Sequence, residues 1–100
     1  MSQLDQKLRE LFLKFKPLVD SRLAAIENGI AATESGSLTE DLRAAAEREA
    51  HKLAGALGSY GLTLGSELAR ELEQRFIGGQ PDAAACRRLY DRLRSEIDSF

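Results

Sequence analysis

Apolar residues recur along the chain at three- and four-residue steps, and no stretch alternates with period two. Leu4, Leu8, Leu11 and Phe15 form the first stripe. Pro17 follows. It lacks the amide that an uninterrupted helix needs and suits the first turn of a new one, so a helix boundary is predicted there. A second stripe runs through Val19, Leu23, Ile26, Ile30 and Thr33, with Gly29 inside it weakening the helix by about 1 kcal/mol relative to alanine. Ser35-Gly36-Ser37 reads as a connection. Ser37-Leu38-Thr39-Glu40 then fits a capping box, and Thr39 ahead of Glu40 and Asp41 is an alternative cap. The third stripe is Leu42, Ala46, Glu49 or Ala50, Leu53 and Leu57, after which Gly58 and Gly61 bracket a turn. Leu64, Leu68, Leu72 and Phe76 form the fourth stripe, closed by Gly78-Gly79. Pro81 opens a last helix carrying Cys86, Leu89, Leu93, Ile97 and Phe100 on one face.

β-Branched residues are sparse, so the predicted architecture is all-α. Short links favour antiparallel neighbours. The expectation is an antiparallel up-down four-helix bundle, with the segment before Pro17 as an additional N-terminal helix or helical extension. Residues 1–100 read as a single domain, which a longer multidomain regulator would also accommodate. There is no internal repeat.

Composition narrows the function mainly by exclusion. Fourteen basic residues against sixteen acidic ones leave a net charge of -2, without the basic excess of a nucleic-acid-binding domain. No apolar run is long enough to span a bilayer, and the N-terminus lacks the basic-then-apolar pattern of a secretion signal. The one cysteine, Cys86, has no internal disulfide partner, which makes a reducing, cytoplasmic setting the expectation. Cys86 lies on the apolar stripe of the last helix and reads as a core residue. Phe12 and Phe15 read as packing residues. A metal site needs several convergent ligands, and one histidine with one distant cysteine does not supply them. No nucleophile-elbow pattern accompanies the serines, which argues against a hydrolase.

The chemistry rests on His51, the single histidine. On the third helix it falls on the face away from Leu53, toward water. Ala44, Glu47, Arg48, Ala54, Gly55 and Gly58 lie within about 60° of it. Small residues around an exposed imidazole clear space for a bulky partner, and Arg48 and Lys52 flank that space with charge suited to a phosphate. A neutral imidazole at neutral pH offers a ring nitrogen as nucleophile. Glu47, one turn earlier, is placed to accept a hydrogen bond from one ring nitrogen and leave the other free. The bland reading of the same residues is a surface histidine near a frayed helix end with an ordinary charged face. Tyr60 and Leu62, just beyond, are either partner-docking contacts or turn residues tucked onto the bundle.

The string from Ala50 through His51-Lys52-Leu53-Ala54-Gly55-Ala56-Leu57-Gly58-Ser59-Tyr60-Gly61 to Leu62 resembles the active-site segment of histidine-containing phosphotransfer (HPt) domains. The likeness continues more loosely through Leu64, Leu68, Leu72 and Glu73. It implies a four-helix bundle that relays phosphate between receiver-domain aspartates, with His51 as phosphoryl acceptor. Lys52, Arg48, Glu47, Gly55 and Gly58 would support it, and Ala54, Tyr60, Leu62 and Glu73 would meet the partner. Many such domains carry a lysine three residues after the histidine; here that residue is Ala54, so the cation beside the phosphate falls to Lys52, Arg48 or the partner. Glu73 occupies a position where some relatives place a glutamine close to the histidine.

The resemblance further implies response-regulator receiver domains or a histidine kinase as partners, no nucleic acid and no membrane. It implies no intrinsic cofactor, with Mg²⁺ in the partner receiver. Nothing resembles an ATP-binding glycine-rich loop, so a carrier without autokinase activity is expected. Two other readings are a non-catalytic helical interaction module and the N-terminal domain of a chemotaxis-type kinase.

Overall fold

A computed structural model describes residues 3–100; Met1 and Ser2, part of the N-terminal stretch read above for a secretion signal, lie outside the described residues. The described chain forms four helices in sequence order and no strand: α1 (Gln3–Glu34), α2 (Glu40–Ser59), α3 (Thr63–Ile77) and α4 (Ala83–Asp98). The expected all-α bundle is borne out. The N-terminal extension is the first half of α1, not a separate helix.

Helix α1 corrects the boundary placed at Pro17, since it runs unbroken through that residue for 32 residues. At about 1.5 Å per residue it accounts for the 47 Å long axis of the molecule. Proline costs an interior helix one hydrogen bond, the one to the carbonyl four residues back. That residue is Leu13, 58% exposed, so the orphaned carbonyl lies on the solvent side. Packing on both sides of the proline holds the helix together. Phe12 is buried edge-on against Tyr60 and Phe100, with ring centroids at 5.4 and 4.8 Å, and Val19, Leu23, Ile26 and Ile30 continue the buried face.

Continuity also resets which residues face inward. At about 100° per residue, the buried set from Val19 to Ile30 shares its direction with Phe12, whereas Leu4, Leu11 and Phe15 point roughly 50–90° to one side. Those three are exposed, Phe15 by 47%, and Phe12 alone of the two phenylalanines is core. The same drift removes Leu64 from the fourth stripe. Each four-residue step advances about 40°, so a stripe from Leu64 to Phe76 wraps about 120°. Leu64 is accordingly 41% exposed, while Leu68, Leu72 and Phe76 are buried.

One core joins all four helices, with Ala46, Ala50, Leu53 and Leu57 from α2 and Cys86, Leu89, Leu93 and Ile97 from α4. Burial pushes the Cys86 thiol above its ordinary range, as suits an inert core residue. At Gly29, α1 and α2 pack closely: a Cβ there would lie 2.8 Å from the Cβ of Ala46 and 3.2 Å from the Phe76 ring. The helix tolerates glycine because the packing needs it. Between α1 and α4, Arg87 holds both Glu27 and Glu34, and that guanidinium draws the Glu34 carboxyl below its usual range.

The starts of α2 and α4 are capped by side chains. Thr39, not Ser37, accepts from the amide of Leu42 at 3.2 Å, and Glu40 turns to Arg43 instead of closing a capping box. Asp82 accepts from the Ala85 amide, so Pro81 precedes the cap of α4 and lies outside the helix. Helix α2 continues through Gly58 to Ser59, and the turn to α3 is made at Gly61, whose φ of +79° favours glycine.

Candidate functional site

Two cross-links fix α2 against α3, and the site lies between them. Near the start of α2, Arg43 donates to both oxygens of Glu40 (2.9 and 2.7 Å), to Glu47 (2.6 Å) and to the carbonyl of Phe76 at the end of α3 (2.7 Å). The two carboxylates push the Arg43 guanidinium pKa up, and it stays a cation. Toward the other end, the buried hydroxyl of Ser66 donates to the carbonyl of Ala54 at 2.7 Å. A side chain at Gly58 would place its Cβ 3.4 Å from that hydroxyl oxygen, so glycine lets Ser66 approach.

His51 stands between these links with its side chain 73% exposed. Its Nδ1 lies 2.8 Å from Oε2 of Glu73, which comes from α3 with its own side chain only 16% exposed. A carboxylate only accepts, so Nδ1 is the donor in this contact, and in a neutral ring the lone pair is left on Nε2. Glu73, expected as a partner contact, is thus the residue beside the imidazole. Glu47, expected in that role, is held by Arg43. The difference is one of reach: Glu47 has a buried-side cation one turn earlier on its own helix, while Glu73 meets His51 across the groove.

Beside the imidazole is an open recess of about 330 Å³ lined by His51, Ala54, Gly55, Arg70, Glu73 and Gln74. A Cβ at Gly55 would meet nothing within 4 Å, so its side of the recess is clear. Ala54, expected as a docking contact, lines this recess but is only 3% exposed. Tyr60 and Leu62 are partly buried against the core, Tyr60 edge-on to Phe12. Of their two readings, the structure takes the tucked one.

Arg48 and Lys52 turn away from the recess. Their charged ends lie 3.7 and 4.0 Å from the Glu49 carboxylate, which also faces Arg22 of α1 at 3.8 Å. Arg70 and Gln74 were missed in the sequence. A signal was present: in antiparallel helices with position 51 against position 73, position 54 falls opposite position 70. Among the described residues no group of three metal-ligating side chains converges.

The Hpt domain family matches residues 10–100 of the chain. The chain belongs to the Hpt domain family. Hpt domains are histidine phosphotransfer carriers that work with receiver domains and kinases in phosphorelays. Over 96 residues the chain is 32% identical to Protein RcaC of Microchaete diplosiphon, a match that covers 91% of this chain. The chain spans only 15% of that relative's length. No solved structure matches. No helix among the described residues is long and apolar enough to cross a membrane.

Proposed function

We propose that this Hpt domain carries a phosphoryl group on Nε2 of His51, accepting it from an aspartyl phosphate of a receiver domain and passing it to another receiver. The observation that supports this most is the 2.8 Å contact of Nδ1 with Glu73 in an otherwise exposed ring. In the transfer, the Nε2 lone pair attacks phosphorus as the bond from phosphorus to the aspartyl oxygen breaks. The carboxylate leaves with that electron pair. The proton on Nδ1 stays, the ring becomes a cation, and the Glu73 carboxylate stabilises that charge as it develops. The reverse sequence returns the phosphoryl group to an aspartate. The receiver supplies Mg²⁺ and the acidic site, and the carrier contributes positioning and one nucleophile. The chain itself has no autokinase activity in this reading, and the relay operates in the cytoplasm.

The test is label transfer from phosphorylated receiver domains to the chain, with His51→Gln as control. An acid-labile, base-stable label that is lost in the variant supports the reading. Equal label in both chains, or none from any receiver, would sink it and favour a non-catalytic docking module.

A further inference from the structure

We infer that Arg70 is the cation that binds the phosphoryl group carried on His51, a reading that rests on the phosphocarrier role proposed above. A phosphoryl group on Nε2 brings roughly two negative charges onto a face that must neutralise them. Three cations lie near enough in the chain to be considered, and their present partners separate them. Arg48 and Lys52 sit on the flank of α2 toward α1, with Glu49 between them. Turning either to the phosphate would give up that pairing and leave Glu49 facing Arg22 and one remaining cation.

Arg70 lines the recess itself, one turn before Glu73 on α3, and is exposed. Among the described residues it has no ion-pair or hydrogen-bond partner, so no existing contact is broken when it takes an anion. Its place in the groove is set by register. With His51 against Glu73, Arg70 faces Ala54, whose small inward side chain leaves the guanidinium free to lie along the recess. Gln74, also lining it, adds an amide donor. A guanidinium matches phosphate geometry with two parallel N–H donors, which a lysine ammonium does not.

The experiment needs no partner protein for its main reading. Potassium phosphoramidate, a small-molecule donor, phosphorylates the chain, and ³¹P NMR follows the second ionisation of the phosphohistidine as pH is varied. In Arg70→Ala the midpoint should rise by about 0.5 pH because a cation beside the dianion is lost. Arg70→Lys should recover part of the shift, and Lys52→Ala should leave it unchanged. Transfer from a phosphorylated receiver should slow about 3- to 10-fold in Arg70→Ala, in the range of one exposed charge-assisted contact. An unchanged titration in Arg70→Ala overturns the inference whatever the transfer rate, since weaker docking alone would slow transfer. An equal or larger shift in Lys52→Ala also overturns it. If no phosphohistidine forms from phosphoramidate or from receivers, the carrier reading fails and this one with it. If it forms and Arg70→Ala behaves as the parent, only this inference fails.

Discussion

The two flanks of α2 carry similar charges and different chemistry. On the flank toward α1, Glu49 is surrounded by Arg22, Arg48 and Lys52 at 3.7–4.0 Å, a loose cluster in which one carboxylate faces three cations. On the flank toward α3, a single carboxylate, Glu73, makes one short contact with the imidazole, and Arg70 nearby has no ion-pair or hydrogen-bond partner among the described residues. Loose exposed pairs contribute little to stability. A carboxylate mostly shielded from water and aimed at one ring nitrogen fixes a tautomer. The proposed transfer therefore uses the flank where the partner comes from another helix, while the charges close in sequence to His51 are engaged on α2 and α1.

Removing Glu73 should break that contrast most severely. Glu73→Ala is expected to slow transfer from a phosphorylated receiver by about 10²-fold, the scale of a lost group that stabilises developing charge. Glu73→Gln keeps an acceptor for Nδ1 without the charge, so an intermediate loss should appear in the same stopped-flow or gel assay. Filling the recess comes next. Gly55→Leu should slow receiver transfer at least about tenfold by occupying open space, yet raise thermal stability, because glycine inside a helix costs roughly 0.5–1 kcal/mol. Opposite signs in the two measurements would mark Gly55 as kept for access. On the other flank, Arg48→Ala and Lys52→Ala should each change transfer by less than about threefold.

Packing around the extension gives a parallel comparison. Phe12→Ala should cost about 3–5 kcal/mol and Phe15→Ala less than about 1 kcal/mol in urea unfolding, since only the first is buried. Equal costs would contradict the continuous α1.

The smallest effect is that of acid. Arg87 and Arg43, mainly by hydrogen bonding, hold the carboxyls of Glu34 and Glu40 below their ordinary 4.5. A depressed folded value means that the contribution is present above the unfolded pKa and lost as pH falls through the folded one. Thermal midpoints should be level from about pH 7 to 5 and decline below about 4.5, with a shallower decline in Glu40→Gln.

Much of this was legible in the chain. The stripe from Val19 through Leu23 and Ile26 to Ile30 and the one from Cys86 to Ile97 carry their phase within one helix, and both describe buried faces. Errors arose where phase had to be carried across a feature. A stop at Pro17 detaches Leu4, Leu11 and Phe15 from the direction that Val19 defines. Exclusion of proline is a local preference, and contacts of Phe12 with Tyr60 and Phe100 override it. At the site, His51 and the clearing at Gly55 follow from sequence because they belong to one helix. Glu47 is the neighbour the sequence suggests for the same reason, being on that helix. Glu73, which meets His51, and Arg70, which lines the same recess, depend on how α3 lies beside α2, and that register is set by Arg43 at one end and Ser66 at the other.

Since His51 is the single histidine in the chain, labelling histidine with ¹⁵N reports that ring alone. The most direct measurement is the one-bond ³¹P–¹⁵N coupling in the chain phosphorylated by a receiver domain. The expected result is coupling to Nε2, with Nδ1 still protonated against Glu73. Coupling to Nδ1, or phosphate on any other residue, would contradict the account.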